Sequence, residues 1–217
     1  KKQQKRKKTM SNLASYNHKK TRSKNDWQLK HNERLQKVEH LIEKPNVEVS
    51  LKFAEAIAER DRMIKEAIEA YQRTKKPKAP KFKSKSYLWS AVVNIKEDTT
   101  MDDLKRFTNA MQKKYGFQCY QIAIHRDEGH FDNGEKKHNF HAHLEFVTLD
   151  RETGINRQRE VRKAQLSDIQ DLCAKELGMQ RGENYYQTAK EMKKIGIKYE
   201  KPSRIEPRGY AKIKEKE

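Results

Sequence analysis

Apolar residues along this chain of 217 residues recur at two periods, and the alternation between them lays out the elements. Ile57, Ile64, Ile68 and Tyr71 fall at helical spacing among frequent alanines, which predicts a helix over 50–71. The Pro/Lys stretch 73–85 ends it. Tyr87 to Ile95 is rich in β-branched and aromatic residues and predicts a strand. Thr100, followed by Asp102 and Asp103, is a helix start. Leu104, Phe107, Met111 and Tyr115 then share a face, and Gly116 is the stop. Phe117 to His125 and Phe140 to Thr148 are two further strands, the second with strict alternation. Asp132-Asn133-Gly134 between them is a hairpin-turn signal, so the two strands are expected to pair antiparallel. Residues 159–177 predict a last helix with Leu166, Ile169, Cys173 and Leu177 inward, and the final forty residues are polar and poorly periodic. This order predicts an α+β fold, a central, mainly antiparallel sheet flanked by helices.

Charge changes the picture in two blocks of this plan. The formal net charge is +19, a field suited to a polyanion. Residues 1–30 hold eleven Lys/Arg against one acid and read as a basic, flexible arm, with the globular domain over 31–217. Arg73 to Lys85 adds seven Lys/Arg, two prolines and no acid, a basic linker within that domain. No apolar run is long enough to cross a membrane, no segment resembles a signal peptide, and two cysteines cannot frame a disulfide scaffold; a cytoplasmic protein without membrane insertion is expected. The chain does not begin with Met, as expected of a processed or trimmed chain with a longer parent.

Five of the eight histidines fall within nineteen positions: His125, His130, His138, His141 and His143. His141 and His143 flank Ala142 on a predicted strand, so both imidazoles share one face. His125 ends the neighbouring strand and can come beside them. Three imidazoles on two paired strands make a rigid ligand set with open positions for catalysis at phosphate. Neither cysteine has a CxxC partner, which disfavours a structural zinc site. His130 and His138 read as loop residues.

His125-Arg126-Asp127-Glu128 followed by His141-Ala142-His143 resembles the His-x-Asp-Glu and His-x-His motifs of MobV-type mobilisation relaxases, members of the HUH endonuclease class. Upstream, Lys30-His31-Asn32-Glu33-Arg34 resembles that family's N-terminal motif. The chain departs from the compact family pattern in a longer stretch between His125 and His141. The resemblance implies a metal-dependent enzyme that nicks single-stranded DNA at a plasmid's origin of transfer and stays joined to the 5′ end, initiating conjugative mobilisation. It implies a divalent ion on His125, His141 and His143. The imidazole donors favour Mn²⁺, with Mg²⁺ the alternative.

The nucleophile maps to His31, with Tyr16 as the alternative; Tyr185, Tyr186 and Tyr210 stand after the motif, the order found in replication initiators. Arg34 is placed for phosphate contact, Glu128 as acid/base or ligand-orienting carboxylate, and Asp127 behind the ligands. Expected DNA contacts are Lys19, Lys20, Arg22, Lys30, Asn32, Lys81, Lys83, Arg126, Arg157 and Arg159, with Trp27, Tyr87 and Trp89 as base-stacking candidates. The implied partners are single-stranded and hairpin origin DNA, with accessory relaxosome or coupling proteins. Two other readings remain: a rolling-circle replication initiator, and a non-catalytic basic nucleic-acid-binding protein.

Overall fold

The computed structural model describes residues 12–21, 26–38 and 41–200. Its elements in chain order are β1 (Leu13–Ala14), β2 (Tyr16–Lys20), α1 (Trp27–Asn32), β3 (Val47–Val49), α2 (Phe53–Thr74), β4 (Leu88–Asn94), α3 (Met101–Tyr115), β5 (Gln118–His125), β6 (Gly129–Asp132), β7 (Glu135–His138), β8 (His141–Val147), α4 (Lys163–Glu176), β9 (Gln180–Arg181) and α5 (Tyr185–Lys194). The predicted α+β class is the observed one. Five antiparallel strands in the order β2-β4-β8-β5-β3 make the central sheet.

The sheet has two differently furnished faces, because successive side chains of a strand point to opposite sides. On one face Ala91, Val93, Ile122, Ile124, Ala142, Leu144 and Phe146 pack against Leu104, Phe107 and Met111 of α3 and Ile169 and Cys173 of α4. Helix α3 begins and ends where its sequence signals stand: Thr100 Oγ1 accepts from Asp103 N, and Gly116 closes the helix at φ 70. On the other face a smaller cluster joins Tyr120, Val147 and Leu149 to Leu29 of α1 and Ala56 and Ala67 of α2. The deepest residues of α2 are alanines rather than the predicted isoleucines, so this helix lies close on the sheet.

Four expectations are corrected. Residues 12–21 and 26–30 are not a free arm. Tyr16 to Lys20 is an edge strand registered on Trp89 to Val93, and Trp27 to Asn32 is a short helix. The preceding residues, and Arg22 and Tyr210, lie outside the described residues. The turn at Asn133 and Gly134, at φ 52 and 77, does not join β5 to β8 directly; it closes a separate hairpin of β6 and β7 inserted between them. The last predicted helix starts at Lys163, because Asn156 Oδ1 accepts from Gln158 N and winds 157–160 into a 3₁₀ turn. Leu166 then faces solvent. The polar final segment holds β9, paired parallel with β1, and helix α5.

Candidate metal centre

Strand alternation on β8 sends Ala142 into the helical face and both His141 and His143 to the other. The antiparallel register sets His125 of β5 directly opposite His141. Ring centroids of His125, His141 and His143 are 4.8–5.1 Å apart, and all three residues are buried. The predicted triad is therefore brought together. Two further groups join it from outside the strand pair. His31, at the end of α1, lies 5.2 Å ring to ring from both His125 and His143. Glu128 Oε1 stands 3.5 Å from His125 Nδ1, 3.7 Å from His31 Nε2 and 3.8 Å from His141 Nε2.

Two donor sets among the described residues could hold a metal ion: His31, His125 and His143, and His125, Glu128 and His141. Backbone carbonyls fit the second ring nitrogen of His125 and of His141 to a ligand's needs. His125 Nε2 meets Asn32 O at 3.1 Å and His141 Nδ1 meets Asn139 O at 2.7 Å, whereas at His143 the Gln28 amide nitrogen donates to Nδ1 at 3.2 Å. Left inward are His125 Nδ1, 3.5 Å from Glu128, and His143 Nε2, both buried and without a hydrogen-bond partner among the described residues. Imidazoles anchored at one nitrogen and bare at the other are the usual state of metal-binding histidines.

Electrostatics keep the donors in the needed form. Burial and the neighbouring His125 depress His31 to about 4. Burial depresses His141, and burial with His141 and His125 takes His143 well below the ordinary imidazole value. These three rings are neutral at pH 7, with lone pairs available. Burial works to raise the Glu128 carboxyl, but the His125 ring, His141 and Arg34 outweigh it and hold the group ionised.

Arg34, expected at phosphate, is engaged by two carboxylates. Its Nε and Nη2 donate to both oxygens of the buried Asp127, at 3.0 and 2.6 Å, and Nη2 donates to Glu128 at 2.8 Å. This ties the end of α1, which carries His31, to the end of β5, which carries His125. Asp127 also accepts from Asn46 N at 3.1 Å. Asn32 is likewise structural. It is fully buried, and its Nδ2 donates to Gln121 at 2.8 Å and to Glu145 at 3.3 Å, while its Oδ1 accepts from Gln28 at 2.8 Å.

The other expected residues divide by face. Tyr16 is buried on the helical side, edge-on to Phe107, and its hydroxyl meets His18 Nδ1 at 2.7 Å; it is not brought to the cluster. The turn holding Arg157 and Arg159 packs on His18 through Gln158 and not on the cluster of His31, His125, His141 and His143. Arg126 donates to the carbonyls of Glu97 and Thr99. Lys81 and Lys83 are exposed on the 75–87 segment, and neither lines the cavity over the site. Tyr185 and Tyr186 on α5 do not line it either.

Lys19 and Lys20 do line it. Beside the imidazoles lies a cavity of ≈ 540 Å³ bordered also by Trp27, Asn94, Tyr120 and Asn139. Its floor includes Glu145, which sequence reasoning missed. This carboxyl is fully buried, accepts from Ser90 Oγ at 2.9 Å, and burial lifts it to about 7. Its place two residues beyond His143, on the same strand face, was the available signal.

The fold has a solved counterpart. A Mn-bound crystal structure of the MobM relaxase domain (MOBV; Mob_Pre) with plasmid pMV158 oriT DNA superposes at a TM-score of 0.50 and 14% identity. The match covers 93% of this chain and 99% of that one. The class defined is thus a relaxase-type α+β fold with a central antiparallel sheet. Compared with protein-family models and with curated proteins, the chain shows no match.

Proposed function

We propose that this chain is a metal-dependent DNA relaxase of MobV type, which cuts one strand at an origin of transfer and remains linked to its 5′ end. The observation that carries the reading is the meeting of His31 with His125 and His143 beside Glu128, since it unites two motifs more than ninety residues apart. The likeness to a relaxase domain that binds origin DNA and manganese supports it.

His125, His141 and His143 would hold a divalent ion, Mn²⁺ by the preference of imidazole donors, with Glu128 as a further donor or orienting group. When bound, the ion polarises the oxygens of the scissile phosphate and stabilises the charge that develops there. His31, neutral at physiological pH, is the nucleophile. Its ring nitrogen forms a bond to phosphorus, the bond from phosphorus to the 3′ oxygen breaks, and that oxygen leaves and takes up a proton. The ring releases its own proton to solvent, and reversal by a 3′ hydroxyl rejoins the strand. Glu128 and Arg34 hold the ring in place for attack. The strand is single when it enters, with Lys19, Lys20 and Lys30 meeting its phosphates, and the protein acts in the cytoplasm with relaxosome partners.

The test is incubation with supercoiled plasmid carrying the cognate origin, with and without Mn²⁺, followed by protease treatment and denaturing gels. Relaxation should require metal, leave protein on the 5′ end, and disappear in both His31→Ala and His141→Ala. Relaxation retained in His31→Ala removes this nucleophile. Tight binding with no relaxation under any metal leaves a non-catalytic DNA-binding protein.

A further inference from the structure

Three aromatic side chains suit base stacking by sequence, and the structure separates them. Trp89 is packed at 4.5 Å and 9° against His18 on the helical face, and its Nε1 donates to Ser86 O at 3.2 Å. Tyr87 is partly buried against Phe82. Trp27 is 56% exposed at the lip of the cavity and is stacked nearly parallel to His31, 5.2 Å ring to ring and 9° between planes. With one indole face against His31, the exposure belongs to the other face and edge. A large apolar ring held flat at a surface, on a helix anchored by the buried Leu29 and Asn32, is a preformed platform.

From this arrangement we infer that Trp27 stacks on one unpaired nucleobase next to the phosphate attacked by His31, and so selects single-stranded DNA at the site. The inference rests on the proposed passage of a single strand over the imidazoles. Its occupant follows from chemistry. The ring needs a flat π partner, and Lys19 and Lys20 on the same cavity supply charge for a phosphate backbone. Bases within a duplex are already stacked on each other, so the platform adds nothing to duplex binding. The column of base, indole and imidazole also sets the height of the strand over the metal ligands.

The experiment uses a fluorescein-labelled oligothymidylate of about 12 nucleotides, alone and annealed to its complement. Anisotropy is read in EDTA at fixed salt. Trp27→Ala should weaken single-strand binding about 10-fold, the loss of one base stack, and leave duplex binding unchanged. Trp27→Phe, which keeps a ring, should retain most of the affinity. The dependence on salt should stay that of wild type, because no charge is removed. Indole emission should be quenched by the single strand in wild type and in Trp89→Phe. Unchanged single-strand affinity in Trp27→Ala, or an equal loss on the duplex, overturns the inference. The assay contains neither metal nor a cleavable origin, so a failure of stacking and a failure of nicking are read separately.

Discussion

At Arg34 the backbone stands at φ 58, a region that costs a non-glycine residue on the order of 1–3 kcal/mol. The strain is held by the fork of hydrogen bonds to Asp127 and Glu128. Removing the guanidinium leaves a carboxylate with 0% side-chain exposure without its counter-charge, held only by Asn46 N. Arg34→Ala is therefore expected to lower unfolding free energy by roughly 3–5 kcal/mol in denaturant titration. A loss below about 1 kcal/mol would show that the pair does not hold the site. Arg34→Lys keeps a charge without the two-pronged geometry and should recover only part. His31 and Arg34 were legible as a motif, and so were Asp127 and Glu128. That the two motifs lock together was not, since the ion pair spans more than ninety residues. Asn32, read as a DNA contact within the same motif, turned inward because Glu145 and Gln121 on the sheet present acceptors to it.

Among elements, β8 was plain in sequence because both its faces have unmistakable characters, apolar toward α3 and α4 and histidine toward the site. Strand β2 was hidden. Its alternation sets Tyr16 and His18 against Asn17 and Lys19, and the lysines next to it read as a disordered arm. His18 on this strand offers a test. It is stacked between Trp89 and Phe117, its Nε2 meets Gln158 at 2.8 Å, and the hydroxyl of Tyr16 faces its Nδ1. Burial lowers its pKa, and the Gln158 contact only partly opposes this. As pH falls through about 6.5, the unfolded chain takes up a proton that folded His18 refuses, so this group's contribution to stability is present above that pH and is lost below it. The fall in unfolding free energy between pH 7.5 and 5.5 should accordingly be shallower in His18→Gln than in wild type. Equal slopes would mean that the stack does not exclude the proton. The hairpin of β6 and β7 was legible only as a turn. Asn133-Gly134 announces a two-residue connection, and the number of strands outside it is a matter of tertiary pairing.

For the whole molecule, the donors converge where the β5–β8 pair meets α1, so metal binding should fasten these parts to each other. Saturating Mn²⁺ should raise the melting temperature by about 5–10 °C over protein in EDTA. The rise should vanish in His143→Ala and persist in His130→Ala, because His130 lies on the inserted hairpin, outside both donor sets. A rise that survives in His143→Ala would place the ion on His125, Glu128 and His141 instead. The net charge of +19 suits a polyanion by composition alone, but only the fold shows which lysines border the site.

The sequence by itself determined the α+β class, the limits of α3, the alternation that pairs His141 with His143, and the chemistry offered to a partner. Each of these depends on side-chain type and on neighbours two to four residues apart. Only the tertiary structure decided that His31 comes to the three strand histidines, that Arg34 is spent on Asp127, that Tyr16 faces away, and that Trp27 lies open over the site. Those outcomes depend on which face of the sheet a distant segment covers, and that is set by packing and by the satisfaction of buried polar groups over the whole chain.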